Sequence, residues 1–324
     1  MPHLCHNGMK LIDPVRYIKL AASGKLPTPQ GLALAINGLL QQDDYKIDEL
    51  VRLVQSDPAL AGELLKFSNA ASFGHTRPII SLSEAAITLG SRRAGTLVLA
   101  LSVLHSNRGG HCIQFDYERF WSRALVTAIS AHALASHSQI KADEIFTAGL
   151  LCSVGELALA SLFPERYGEI ISTSAEGTLK RFTLEREAFE FDKSELTASM
   201  LLEWELPEIL ATAVYYCEAP DAAELQEGSR LHGLTLSLHV ALSLAELCVP
   251  REGSSLVTLQ TLLTKAARLG INAEELSVIA EGIITSWIEW GELLQIQTRE
   301  SPALEDMLAS SQAREHVPSS LTLD

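Results

Sequence analysis

Ser56-Asp57-Pro58-Ala59-Leu60-Ala61-Gly62-Glu63-Leu64-Leu65-Lys66-Phe67-Ser68-Asn69 reads as a helix from its first residues. Ser56 or Asp57 offers an N-cap oxygen to an orphan amide. Pro58 stands in the first turn, where a missing N–H costs little. Beyond it Leu60, Leu64, Leu65 and Phe67 or Ser68 share one face at a 3.6-residue period. Upstream, Gln30 to Leu40 reads as an Ala/Leu helix after the stop Leu26-Pro27-Thr28-Pro29. A second helix follows Asp44 or Lys46, with Ile47, Leu50, Val51 and Val54 on its apolar face. Downstream, Ser81-Leu82-Ser83-Glu84 opens a short helix that Gly90 closes. Ser91 then opens one whose run Leu97 to Leu104 is apolar enough for a central core position.

The same period continues to the far end of the chain. Asn107-Arg108-Gly109-Gly110 is a break, after which helices are expected over Tyr117–Ser136, Asp143–Leu162, Glu165–Ser174, Leu179–Phe191, Ser194–Trp204, Pro207–Glu218 and Leu231–Cys248. Pro250 to Ser255 is a second break. Leu276, Ile279, Ile283, Trp287, Trp290 and Leu294 then keep helical spacing through one long amphipathic helix. The last fifteen or so residues, rich in Ser and ending Leu321-Thr322-Leu323-Asp324, read as a flexible tail. Neither an internal repeat nor a low-complexity tract interrupts this order. The expected fold class is all-α.

Composition narrows the function. Of 324 residues 47% are apolar, 20% charged and only 6% aromatic, an aliphatic core that suits packed helices better than sheets. A net charge of -15 argues against nucleic acid as a partner, since a phosphate backbone wants a basic face. Short basic spots such as Arg92-Arg93 read as solvated helix surface. Cys5, Cys112, Cys152, Cys217 and Cys248 are dispersed and form no CxxC pair, as expected of reduced thiols in a cytoplasmic protein. Met1 to Val15 has no apolar core of a signal peptide. The longest strongly apolar stretch, Ala94 to Leu104, is about half of a membrane span, so no membrane association is expected.

Two stretches, taken as ordered sets, carry a resemblance. The first is Ser56-Asp57-Pro58-Ala59-Leu60, then Leu64 to Ala70, then Ser83 to Gly90. The second is Phe120-Trp121, Ala148-Gly149-Leu150-Leu151, Gly155 and Trp204-Glu205-Leu206-Pro207, with Tyr216 and Pro220 behind. Together, over roughly Leu26 to Val249, they resemble the HDOD domain, a bacterial relative of the HD-type metal-dependent phosphohydrolases. One departure is Ala70, where the family has Ser after Asn69. Each signature residue also has a plain role: Asp57-Pro58 as a helix start, Gly90 and Gly155 as tight-turn or close-packing glycines. Asn69 either ties a loop or meets a partner.

The resemblance implies a metal site in the catalytic relatives, built from imidazoles, carboxylates and an adjacent His-Asp pair that activate water. Aligned on the motifs, those ligands are missing here. Arg123 stands for the His after Phe-Trp, and Cys152-Ser153 for the His-Asp pair. Lys193 stands for the next His, Cys217-Glu218 for the following His pair, and the final Asp falls near Leu242. Other constellations are thin. His132 and His137 fall on different helix faces, and His132 reads as a core or groove histidine. Cys152 and Cys217 either fill apolar space or form a soft-metal or redox site. Glu156 and Glu218 are single carboxylates with no visible partner. No nucleophile elbow, phosphate loop or dinucleotide fingerprint occurs.

The expected architecture is two packed helical subdomains with a C-terminal extension: an N-terminal segment 1–25, a helical subdomain 26–108, a degenerate HD-like subdomain 109–250, and C-terminal helices with the tail over 251–324. The resemblance implies a signal-transduction module without catalysis or cofactor that binds a protein partner, family members often being joined to receiver or cyclic-dinucleotide output domains. The alternative is a nucleotide or small-molecule sensor in which Arg123 and Lys193 grip a phosphate or carboxylate. A residual phosphohydrolase is the third reading. The helix through Trp287 and Trp290, followed by Pro302, either leads into an output domain or closes the core.

Overall fold

The computed structural model describes residues 8–27, 35–36, 38–39, 42, 45–69, 77–138, 140, 142–173, 178–249 and 259–298. The helix expected over Gln30 to Leu40 lies largely outside them. So do Cys5, Ala70, the Pro250 to Ser255 break, Pro302 and the tail, as do the side chains of Arg92 and Arg93. Among the described residues the secondary structure is helical throughout, as expected of an all-α chain. In chain order the helices are α1 (Pro14–Ala22), α2 (Ile47–Gln55), α3 (Pro58–Ser68), α4 (Leu82–Leu89), α5 (Ser91–Ser106), α6 (Tyr117–Leu134), α7 (Ala142–Leu151), α8 (Val154–Leu162), α9 (Pro164–Thr173), α10 (Thr178–Phe189), α11 (Lys193–Glu203), α12 (Glu208–Tyr216), α13 (Arg230–Cys248), α14 (Leu259–Ala267) and α15 (Ala273–Leu294).

Local chemistry sets these boundaries. The Asp57 carboxylate accepts from the Leu60 amide at 3.2 Å and starts α3. Ser81 accepts from Glu84 N–H to start α4, and Gly90, at φ 84°, ends it where a side chain would be strained. Asn272 caps α15. One expected helix is two: Asp143–Leu162 breaks into α7 and α8 at Cys152-Ser153. The Cys152 thiol donates to the Gly149 carbonyl at 3.1 Å, and the Gly155 amide leaves the helical ladder to donate to Thr197 Oγ1 at 2.9 Å. Both bonds replace the groups that a continuous helix would pair. An apolar period cannot show such a break, because α7 and α8 are both buried.

The longest helices are central. α6 packs against α7, α13 and α15, while α2 to α5 form a layer that reaches the rest through α5 on α7 and α3 on α15. One continuous core runs from Ile12 to Ile296. Two stretches longer than Ala94 to Leu104, Ile145–Leu162 and Arg230–Cys248, are apolar enough by length and composition to cross a membrane, yet the turn at Cys152-Ser153 divides the first, and they lie 89% and 67% buried inside this core. The break after α5 is pinned at several points. Asn107 O accepts from Trp121 Nε1 at 3.0 Å, and the Arg108 guanidinium donates to the carbonyls of Leu294 and Gln295 at 2.6 and 2.9 Å. Trp287 and Trp290 are buried, so α15 does close the core.

The N-terminal segment lies against α10 to α12. Met9 is fully buried with Ala198 and Tyr216 in a small cluster apart from the main core. The amides of Lys10 and Ile12 donate to Tyr215 Oη and Ser199 Oγ. Arg16 pairs with Glu190 and lies over the Phe191 ring at 5.2 Å.

Candidate functional site

Four places in the chain converge at the turn between α7 and α8: that turn, the face of α10, the start of α11 and the end of α12. At their centre is Lys193, the first residue of α11, only 3% exposed. Its ammonium lies 2.6 Å from Glu156 Oε1 and 2.6 Å from Glu218 Oε1. The Phe182 ring sits 5.4 Å beneath it. The two carboxylates that showed no partner in the sequence thus share one; Glu156 stands 37 residues from Lys193, which left no local spacing to read.

A second cation supports the first. Arg181 on α10 stands 4.0 Å from Glu156 and 3.5 Å from Glu185, and donates to Tyr167 Oη at 2.8 Å. Glu185 in turn accepts the Lys193 backbone N–H at 2.9 Å. Asp192 caps the same helix start, accepting from Ser194 and Glu195 at 2.8 and 2.9 Å. Lysine at a helix N-terminus opposes the helix dipole. It is kept there because carboxylates surround it. Burial pushes the Glu185 carboxyl up to about 7, against the pull of Lys193 and Arg181.

Gly155 makes the convergence possible. A Cβ built on it would lie 2.1 Å from the Lys193 carbonyl oxygen and 2.5 Å from Thr197 Oγ1. Only glycine lets α8 touch the first turn of α11, which brings Glu156, its neighbour, to the ammonium. Gly149 has the same role one helix earlier, where a Cβ would meet Ala128 Cα at 2.8 Å.

The thiols of the cluster are inert. Burial pushes the Cys152 thiol up to about 12 and raises that of Cys217 well above its ordinary value. Both donate to backbone carbonyls, Gly149 and Val214, at 3.1 and 3.0 Å. Ser153 lies 3.8 Å from the Cys152 sulfur. His239 on α13, which the sequence did not single out, contacts the Cys217 carbonyl through Nδ1 at 2.7 Å. A carbonyl only accepts, so Nδ1 carries the proton. Burial, with Lys265 nearby, lowers the imidazole to about 4 and keeps it neutral. Lys265 donates to Ser243 Oγ at 2.8 Å; burial lowers it and Glu218 opposes the shift.

Arg123 is held elsewhere. It pairs with Glu246 and donates to the Val249 carbonyl at 3.2 Å. Glu246 lies seven residues beyond His239 on α13, roughly 10 Å along the axis. Leu242 is a core-flanking side chain on that helix. His132 stacks edge-on against Phe146 at 6.4 Å, whereas His137 faces Glu275 at 3.7 Å, so the two do meet different elements. The signature residues hold structure. Asn69 clamps the loop before α4, its amide donating to the carbonyls of Leu65 and Ile79 and its oxygen accepting the Ile79 N–H, at 2.8, 2.6 and 2.7 Å. Trp204 is buried at the end of α11 and Pro207 precedes α12.

A divalent ion of the hydrolase kind does not fit these residues. The carboxylate oxygens that would face it are taken by an ammonium, and a cation held at that place repels a second one. Among the described residues no three His, Cys, Asp or Glu side chains group as a ligand set.

The HDOD domain model matches residues 26–220. A Treponema pallidum (strain Nichols) relative, described as an uncharacterized protein, is 29% identical over 217 residues, 64% of this chain and 41% of that one. The chain therefore spans less than half the length of this curated relative. An HDOD domain protein with unknown function from Geobacter sulfurreducens is 20% identical, covers 91% of this chain and 99% of its own, and superposes with a TM-score of 0.64. A Marinobacter aquaeolei VT8 protein proposed to act in signal transduction is 19% identical, covers 93% of this chain and 63% of its own, with a TM-score of 0.58. These likenesses are of fold. With the family match extending over more than half its length, the chain belongs to the HDOD domain family.

Proposed function

We propose that this chain is a non-catalytic signal-transduction module of the bacterial cytoplasm that works by binding a protein partner. One observation carries the reading: where the HD hydrolases place a water-activating ion, Lys193 bridges Glu156 and Glu218. An ammonium can neutralise carboxylates, but it cannot lower the pKa of a bound water as a divalent ion does. The description of the Marinobacter relative as a signal-transduction protein supports a regulatory role. The four described cysteines are free thiols, which suits a reducing compartment. An output domain of the cyclic-dinucleotide type is the partner class that the family's usual fusions favour. The nucleotide-sensor alternative draws less support, since both cations assigned to a phosphate are engaged by carboxylates.

Purified protein supplied with Mn2+, Mg2+ or Fe2+ is expected to show no turnover of a generic phosphodiester and no thermal shift with millimolar nucleotides. Stoichiometric metal together with hydrolysis would sink the non-catalytic reading. Affinity capture from lysate, followed by reconstitution from purified components, is expected to give a complex of defined stoichiometry; failure of every captured candidate to bind directly removes the partner half.

A further inference from the structure

We infer that Lys193 is a covalent stand-in for the metal ion of this fold, its ammonium doing the structural work of a divalent cation at a site that removal of the lysine would reopen to one. The inference rests on the same site as the proposed function but is independent of any partner.

The ammonium has what a structural metal has: two carboxylates from elements distant in sequence, each with an oxygen 2.6 Å away, with the lysine and Glu156 buried and Glu218 at the edge. Glu156 comes from α8, Lys193 from the start of α11, and Glu218 from just beyond α12. A single cation therefore ties three elements, as zinc or calcium sites do in small domains. The surroundings are balanced for that cation. Glu156, Glu185 and Glu218 face Lys193 and Arg181, while Lys265 and His239 lie on the Glu218 side, His239 neutral. Removing only the ammonium would leave Glu156, which Arg181 still faces at 4.0 Å, and the partly exposed Glu218 without their shared cation, two oxygen donors for a hard divalent ion with water completing the shell.

The test is thermal unfolding of the full chain with and without millimolar Mn2+. Wild type is expected to shift by less than about 1 °C with the ion, its place being taken. Lys193→Met is expected to melt on the order of 10 °C lower and to regain about half of the loss with Mn2+. The triple variant K193M/E156Q/E218Q, neutral at all three positions, is expected to melt near wild type and to ignore Mn2+. A K193M variant that Mn2+ does not stabilise overturns the inference, as does a wild type that binds the ion tightly. If K193M does not fold, the triple variant decides: melting near wild type supports charge replacement, and failure to fold overturns it. Phosphodiester turnover by wild type would sink the proposed function as well, whereas the K193M arms bear on Lys193 alone.

Discussion

Glu185 and His239 lie on either side of the buried cluster and respond to acid in opposite senses. An unfolded glutamate releases its proton near 4.5, but folded Glu185 holds it to about 7. Between those values the folded state binds the extra proton, so rising pH destabilises the protein, by up to about 3 kcal/mol once both states are ionised. His239 behaves in reverse: the unfolded imidazole takes a proton near 6.5 and the folded one only near 4, so falling pH costs stability across that window. Its partial exposure keeps that cost on the order of 1 kcal/mol. The two slopes oppose each other from about 4.5 to 6.5. Melting curves from pH 4 to 8 should therefore fall less steeply with pH for wild type than for His239→Gln, and should rise with pH for Glu185→Gln. Glu185→Gln should gain on wild type as pH rises to 8, and His239→Gln should gain on it as pH falls to 4. A Glu185→Gln difference curve that stays level between pH 5 and 8 would show that the carboxyl is ionised throughout.

Helices meet here through backbone contact, and Gly155 is where the tolerance is least. Gly155→Ala puts a methyl group against the Lys193 carbonyl, main chain against main chain, so no rotamer can yield. We expect a loss of about 3 kcal/mol or more in urea unfolding, the upper range of overpacking. Gly62→Ala, with nothing within 4 Å of its Cβ, serves as a control and should lose far less. Much of this level was legible beforehand. The start of α3 at Asp57-Pro58, the Ser81 and Gly90 limits of α4 and the extent of α15 follow from cap chemistry and period. The break at Cys152-Ser153 was not legible, because α7 and α8 are both so apolar that period alone cannot separate one long helix from two. The site was half legible. Motif order led to Cys152, Ser153, Lys193, Cys217 and Glu218, and the fold brings them together. Glu156 as a bridging carboxylate, Arg181, Glu185 and His239 come from elements whose approach only the tertiary packing sets, and Arg123 went instead to Glu246.

At the scale of the whole molecule, α15 joins the first helices to the HD-like helices through α3, beside the direct contact of α5 on α7. Trp290 sits 4.1 Å from the Phe67 ring of α3 and 5.4 Å from Phe146 of α7, edge-on to the first and tilted against the second. Arg108, in the break between the two halves, holds the last carbonyls of the same helix. Trp290→Ala should lower unfolding stability by about 3–5 kcal/mol, and should loosen α3 and α7 together when amide exchange is followed by mass spectrometry. Loosening of α15 alone would mean that the contact of α5 on α7 suffices to hold the halves together.

That indole also has an optical consequence. Phe67 and Phe146 hold it in an apolar, nearly dry setting, so Trp290 should emit toward the blue while the halves stay clasped and shift to the red once water enters. Because Trp121, Trp204 and Trp287 are buried too, a variant that keeps Trp290 as its sole tryptophan would let any event that parts α3 from α7 report itself in emission, with no dye attached.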